Sequence, residues 1–245
     1  VLLGKPEEIK KANPDVDLSG VEIVDPATSE KRAEYAALLY SLRKAKGMTE
    51  EEADKLSYDN TYFGVLMLKA GDVDGLVSGA CHSTANTLRP GLQIVKAAPG
   101  VPLVSSYFLM IAPACGNPYC EDGAFIYADC GLNENPTSEQ LADIAVISAK
   151  TAEKIAGLEP KVAMLSFSTK GSAKHADIDK VTAALKLAKE KAPDLMIDGE
   201  LQLDAAIVPA VAKSKAPGSK VAGHANVLIF PDLDAGNIGY KLTER

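Results

Sequence analysis

From residue 162 onward the chain alternates short apolar runs with single helical stretches. Val162–Ser166 reads as a strand, Lys174–Glu190 as a helix, Leu195–Asp198 as a strand and Asp204–Ala212 as a helix. Val227–Phe230 then reads as a strand, and a last helix starts near Gly236. Four or five apolar residues in a row predict a strand covered on both faces. Single helices between such strands predict a largely parallel sheet with right-handed crossovers. This alternation constrains the fold more than any other feature of the chain.

The first half carries the same alternation with weaker punctuation. Val21–Val24 reads as a short strand, and residues 29–46 as an amphipathic helix stopped by Gly47. Thr49-Glu50-Glu51-Glu52 is a capping box that predicts a second helix running towards Ala70. Asp74–Ser78 reads as a buried strand, and a further helix is expected from about Thr87 to Ala98. A β-rich run covers Leu103–Ile111 and Ala124–Tyr127, with a turn over Pro113–Pro118 between them. Thr137 and Gln140 form another capping box, opening a helix that Gly157 ends. Ala98-Pro99-Gly100 is the best domain boundary. The fold class expected is therefore α/β, with a first α/β domain over residues 1–100 and a second over 101–245.

Composition narrows the function classes. The 245 residues are 47% hydrophobic and 24% charged, which supplies a core and excludes a disordered chain. Asp and Glu total 33 against 26 Lys and Arg, for a net charge of −7, which argues against nucleic acid as a partner. An anionic ligand must be drawn by local groups rather than by the overall field. Cys81, Cys115, Cys120 and Cys130 are too sparse for a disulfide framework and lack zinc spacing, so they read as small buried hydrophobes in a reducing compartment. The most apolar stretch, residues 101–115, is broken by Pro102 and Pro113 and falls short of a membrane span. Val1-Leu2-Leu3-Gly4 lacks an initiator Met, and Lys241–Arg245 stops inside a helix, so both ends read as cut.

Ligands of open α/β sheets bind beyond the carboxyl ends of strands, which directs attention to strand-to-helix loops. Ser78–Pro90 packs Ser83, Thr84, Thr87, His82 and Arg89 into one such loop. Hydroxyls and backbone N–H groups can hold phosphate there, with Arg89 as a bidentate charge, while the same hydroxyls also suit N-caps. Ser166–His175 is similar, with Ser168, Thr169, Lys170, Gly171 and Ser172, and it is not a Walker A loop. The acids of residues 198–204 and 230–239 form no metal set, and Asp204 and Asp234 also suit N-caps. No G-x-S-x-G elbow and no G-x-G-x-x-G after a strand is present.

Val77–Ser83 with Thr87-Leu88-Arg89-Pro90, Ala163–Ser172, Asp198–Gln202, Lys215–Ser219 and Ala225–Leu233 together closely resemble the phosphate acetyl/butyryltransferase family, in the form of phosphate acetyltransferase. The resemblance runs over essentially the whole chain. It implies reversible acetyl transfer between coenzyme A and inorganic phosphate, by a cytoplasmic homodimer of two α/β domains with an interdomain cleft. Arg89 and Arg43 carry over as active-site residues, and Ser83, Thr84, Ser168, Thr169 and Lys170 as contacts to phosphate or coenzyme A. Without the resemblance, Arg43 reads only as a cation at a helix C-terminus. No metal or bound cofactor is implied. The family's leading strand and helix have no counterpart before Val1. Its returning C-terminal helices, with a Ser-Arg pair and an Asp for coenzyme A, have none before Arg245. Phosphate butyryltransferase activity and a non-catalytic acyl-CoA-sensing domain are the alternatives.

Overall fold

The structure is a computed structural model that describes residues 1–112 and 123–245. The expected turn over Pro113–Pro118, and with it Cys115 and Cys120, lies outside the described residues. Two compact units divide the chain, Val1–Pro99 and Gly100–Arg245.

In the first unit, β1 (Leu2–Leu3) pairs in parallel with β2 (Ile23–Val24), and α1 (Pro6–Ala12) connects them. The core is helical. Tyr35 and Leu39 of α2 (Arg32–Arg43) pack against Phe63 and Leu66 of α4 (Asn60–Ala70), with Ala53 of α3 (Glu50–Leu56) beside them. The Thr49 capping box forms as its residues predict, but the helix it opens does not reach Ala70. Ser57 donates its hydroxyl to the Asp54 carbonyl at 2.6 Å, and Asp59 accepts the N–H groups of Thr61 and Tyr62 at 2.9 and 3.0 Å. These side chains give the backbone an end and a new start, so two helices form where periodicity alone reads one.

Asp74–Ser78 forms neither a strand nor part of the core; the segment is exposed, Val77 wholly so. An apolar run becomes a strand only where a neighbour completes its ladder, and no described strand lies beside this one. Next, α5 (Thr84–Pro90) starts three residues before the expected Thr87, because Ser83 accepts the Asn86 N–H at 3.3 Å as its N-cap. A wide π-type turn over Gly91–Val95 follows Pro90, which lacks the N–H that a continuing α-helix needs.

The second unit carries a five-stranded sheet among the described residues, in the order β3-β4-β7-β5-β6. These strands are β3 (Phe108–Ile111), β4 (Ala124–Ala128), β5 (Val162–Leu165), β6 (Ile197–Leu201) and β7 (Val227–Ile229). All neighbours are parallel except β3 and β4. β3 covers only the end of the run expected from Leu103, because Ser106 instead serves the Asp129 carboxylate with its N–H and hydroxyl.

Helices cover both faces of this sheet. Leu141 and Ile144 of α6 (Ser138–Ala156) and Val181 and Ala184 of α7 (Ala176–Lys191) bury one face, against Ile126, Met164 and Ile229. The other face, with Phe125, Leu165 and Leu228, is buried by Ala205 and Ala206 of α8 (Leu203–Ile207) and Ala212 of α9 (Pro209–Lys215). α10 (Leu233–Glu244) adds Tyr240 to that second layer. The helix expected over residues 204–212 is split at Pro209, which sits at the first turn of α9. Asp232 rather than Asp234 caps α10, accepting the Ala235 N–H at 2.9 Å. Gln202 rather than Asp204 occupies the N-cap of α8.

The cysteines divide. Cys130 is buried as expected, and burial beside Asp129 pushes its thiol up to about 12; Cys81 is exposed, which corrects that expectation for it. Among the described residues no helix is long and apolar enough to cross a membrane.

Candidate active site

In the first unit Arg43 and Arg89 both act electrostatically on one hydroxyl. Arg43 ends α2 and Arg89 lies in the last turn of α5, 46 positions further along the chain. The phenol of Tyr62, on α4, is pushed up by burial and drawn back by the charges of Arg89 and Arg43, so both guanidiniums lie within electrostatic reach of it. Tyr62 donates its proton to Gln93 Oε1 at 2.9 Å, which leaves its oxygen lone pairs free to face N–H donors.

Three other basic residues of this unit are matched, among them Lys5, which meets Glu8 at 2.9 Å. Lys31 meets Asp72 at 2.5 Å, and Arg32 pairs with Asp54 while lying 4.2 Å over the Tyr58 ring. Arg43 and Arg89 form no ion pair with a described residue, and the Nε of Arg43 is buried with no hydrogen-bond partner among them. A buried guanidinium donor left unmatched in an acidic protein is set up to receive an anion. Ser83 and Thr84 sit at the exposed start of the same short helix as Arg89, Ser83 as its N-cap.

In the second unit the chemistry-bearing loops meet where strand order reverses. β5 leads into α7 on one face of the sheet, whereas the adjacent β7 leads into α10 on the other. A crevice opens at such a switch point, beyond the carboxyl ends of the strands. Here it is a cleft of about 320 Å3 lined by Leu165, Ser166, Phe167, Leu203, Phe230 and Asp232. Its walls are mostly apolar, and Phe167 and Leu203 stand exposed at its rim.

Next to it, residues 166–172 are held against the end of β6. Ser168 is fully buried and donates to Glu200 Oε1 at 2.8 Å; the Gly171 N–H donates to the same oxygen at 2.7 Å. The Thr169 hydroxyl accepts the Gln202 N–H at 2.9 Å and lies 3.3 Å from Gln202 Oε1. Lys170 takes the left-handed backbone conformation, φ 51°, unusual for a residue other than glycine. Its ammonium reaches Asp198 at 2.5 Å and the Gly199 carbonyl at 2.8 Å. Burial pushes the Asp198 carboxyl up, but the Lys170 ammonium and the Ser219 hydroxyl outweigh it and hold the group below its ordinary value. The Ser168 side chain is committed to Glu200 of β6 and that of Thr169 to Gln202 just after it; of the three predicted loop residues only Lys170 is exposed.

Of the residues singled out in the sequence, Arg43 and Arg89 both lie within electrostatic reach of Tyr62, and Ser168, Thr169 and Lys170 belong to one network. Tyr62 and Gln93 are not among them, and Glu200 figures there only as one of the acids of residues 198–204. Tyr62 and Gln93 are 31 positions apart and carry no motif, so only the packing of α4 against the turn after α5 reveals them.

The family described as Phosphate acetyl/butaryl transferase matches residues 1–245. A phosphate acetyltransferase of Acetivibrio thermocellus is 60% identical over 245 residues, covering 100% of this chain and 73% of that protein. The EutD phosphotransacetylase from Staphylococcus aureus superposes with a TM-score of 0.84 at 49% identity, over 100% of this chain and 73% of that one. A phosphotransacetylase from Streptococcus pyogenes gives 0.86 at 46% identity, over 99% and 72%. With a match along its whole length and this identity, the chain belongs to the phosphate acetyl/butyryl transferase family.

Proposed function

We propose that this chain moves an acetyl group reversibly between coenzyme A and inorganic phosphate, with Arg43 and Arg89 as the grip on the phosphate. The observation that carries the reading is the pair of guanidiniums without carboxylate partners, both acting on the Tyr62 hydroxyl. In the thioester-forming direction the coenzyme A sulfur attacks the carbonyl carbon of acetyl phosphate. A C–S bond forms, the C–O bond to phosphate breaks, and phosphate leaves with the electron pair. A free thiol, with a pKa of about 8.5, is mostly protonated at neutral pH, so positive charge near the attacking sulfur favours the reactive thiolate. Charge accumulates on the leaving phosphate as the bond breaks, and two guanidiniums close to it stabilise that charge.

The remaining residues have supporting parts in this reading. Ser83 and Thr84 contact the phosphate from the start of the Arg89 helix. Ser168 and Thr169 hold the 166–172 loop, and the exposed Lys170 exchanges its Asp198 partner for the phosphates of coenzyme A. The apolar cleft between the ends of β5 and β7 suits an uncharged pantetheine arm. The reaction is neutral in redox terms and its charge is met by arginine, so no metal or bound cofactor enters it. A cytoplasmic homodimer completes the proposal. The exposed Leu109 and Ile111 of edge strand β3, with Ile238 and Leu242 of α10, offer apolar surface that a second copy can cover.

Thioester formation from acetyl phosphate and coenzyme A, followed by absorbance, tests the function. We expect turnover with acetyl phosphate at a higher kcat/KM than with butyryl phosphate, unaffected by EDTA. No turnover with either substrate overturns the reading.

A further inference from the structure

We propose that the Tyr62–Gln93 hydrogen bond is a latch that positions Arg89, so that it and Arg43 address a single anion. The inference rests on the phosphate-grip reading above and adds to it a pair of positioning residues.

The stretch that carries Arg89 has few directional ties. Within residues 84–95 the hydrogen bonds of Asn86 and Thr87 run to Ser83, inside the same turn. Pro90, directly after Arg89, supplies no N–H, and the ladder then widens until the Lys96 N–H reaches the Gly91 carbonyl at 2.9 Å. Ile94 anchors the stretch in the core of the unit, but apolar contact is non-directional and leaves rotation about the helix axis poorly fixed.

Among the described residues, the bond from the Tyr62 hydroxyl to Gln93 Oε1 is the one side-chain hydrogen bond joining residues 84–95 to another element. Gln93 stands four positions after Arg89, about one helical turn along. Tyr62 stands on α4, whose core contacts are with α2, the helix that ends at Arg43. Fixing Gln93 to Tyr62 therefore fixes the rotation of the Arg89 turn against the frame that holds Arg43. The Tyr62 oxygen, its proton committed to Gln93, lies within electrostatic reach of both guanidiniums. Being uncharged, it leaves their charge in place, where a carboxylate would neutralise it.

The test compares Tyr62→Phe, Gln93→Leu and the double variant by steady-state kinetics, with Arg89→Ala alongside and a thermal melt of each. Loss of one directional bond predicts a KM for acetyl phosphate raised roughly tenfold in each single variant. The KM for coenzyme A should change less than about twofold, since the latch acts on the phosphate grip. Because the two residues act as one unit, the double variant should be no worse than either single one. Additive losses, an equal rise in both KM values, or an unchanged KM for acetyl phosphate would each overturn the latch. If Tyr62→Phe fails to fold, Gln93→Leu, at a half-exposed position, carries the same comparison. A raised KM in Arg89→Ala with no change in the latch variants overturns the latch alone. No change in Arg89→Ala overturns the phosphate grip and the latch together.

Discussion

Asp129, 2% exposed, accepts five hydrogen bonds: two from Ser106 and one each from Gly131, Leu132 and Asn133. Burial pushes its carboxyl up, but the Gly131 N–H and the Ser106 hydroxyl lead the donors that hold it below its ordinary value. A carboxyl with a lower pKa folded than unfolded adds stability that is present above about pH 4 and is lost as pH falls through the folded value. Asp198 adds to the same acid limb. Asp129→Asn should therefore lower stability at pH 7 by roughly 3 kcal/mol, since its donors lose a charged acceptor, and should flatten the loss seen below pH 4. Denaturant melts from pH 3 to 7 check both. Cys130, with its thiol pushed up to about 12, should stay unlabelled by a maleimide at pH 7 while exposed Cys81 reacts; peptide mapping distinguishes them. At this scale legibility depended on motif. Arg89 stood out in its loop, Arg43 only through resemblance, and Tyr62 not at all, because its meaning lies in a partner from another helix.

Elements were most readable where their ends are written into adjacent residues. Thr49 with Glu52, and Thr137 with Gln140, form the capping boxes their spacing predicts, and Gly157 closes α6 in the left-handed conformation. The misreadings have a common cause. Asp74–Ser78 has a strand's composition but no neighbour, and the Ser57–Asp59 break and the Asp232 cap depend on which of several polar residues captures the backbone. Close approach between elements was equally hidden. A Cβ on Gly236, in the first turn of α10, would lie 2.6 Å from the Asp129 carbonyl oxygen and 3.2 Å from the Cys130 Cα, backbone that cannot step aside. Gly236→Ala should destabilise the second unit by about 2 kcal/mol, read as a lower melting temperature.

For the molecule as a whole, the parallel order β4-β7-β5-β6 follows from alternating strands and helices, which is why the α/β class was readable from the sequence. The antiparallel partner β3 and the mainly helical character of the first unit needed the structure. Net charge matters at this scale too. A protein at −7 repels the phosphates it is proposed to bind, so affinity must come from a few unmatched cations close to the ligand. The most direct measurement of that claim is kcat/KM for acetyl phosphate in Arg43→Ala and Arg89→Ala, with melting temperatures as a control for folding. Each single variant is predicted to lose roughly 100-fold or more, with the fold intact. Wild-type kcat/KM in both variants would contradict it.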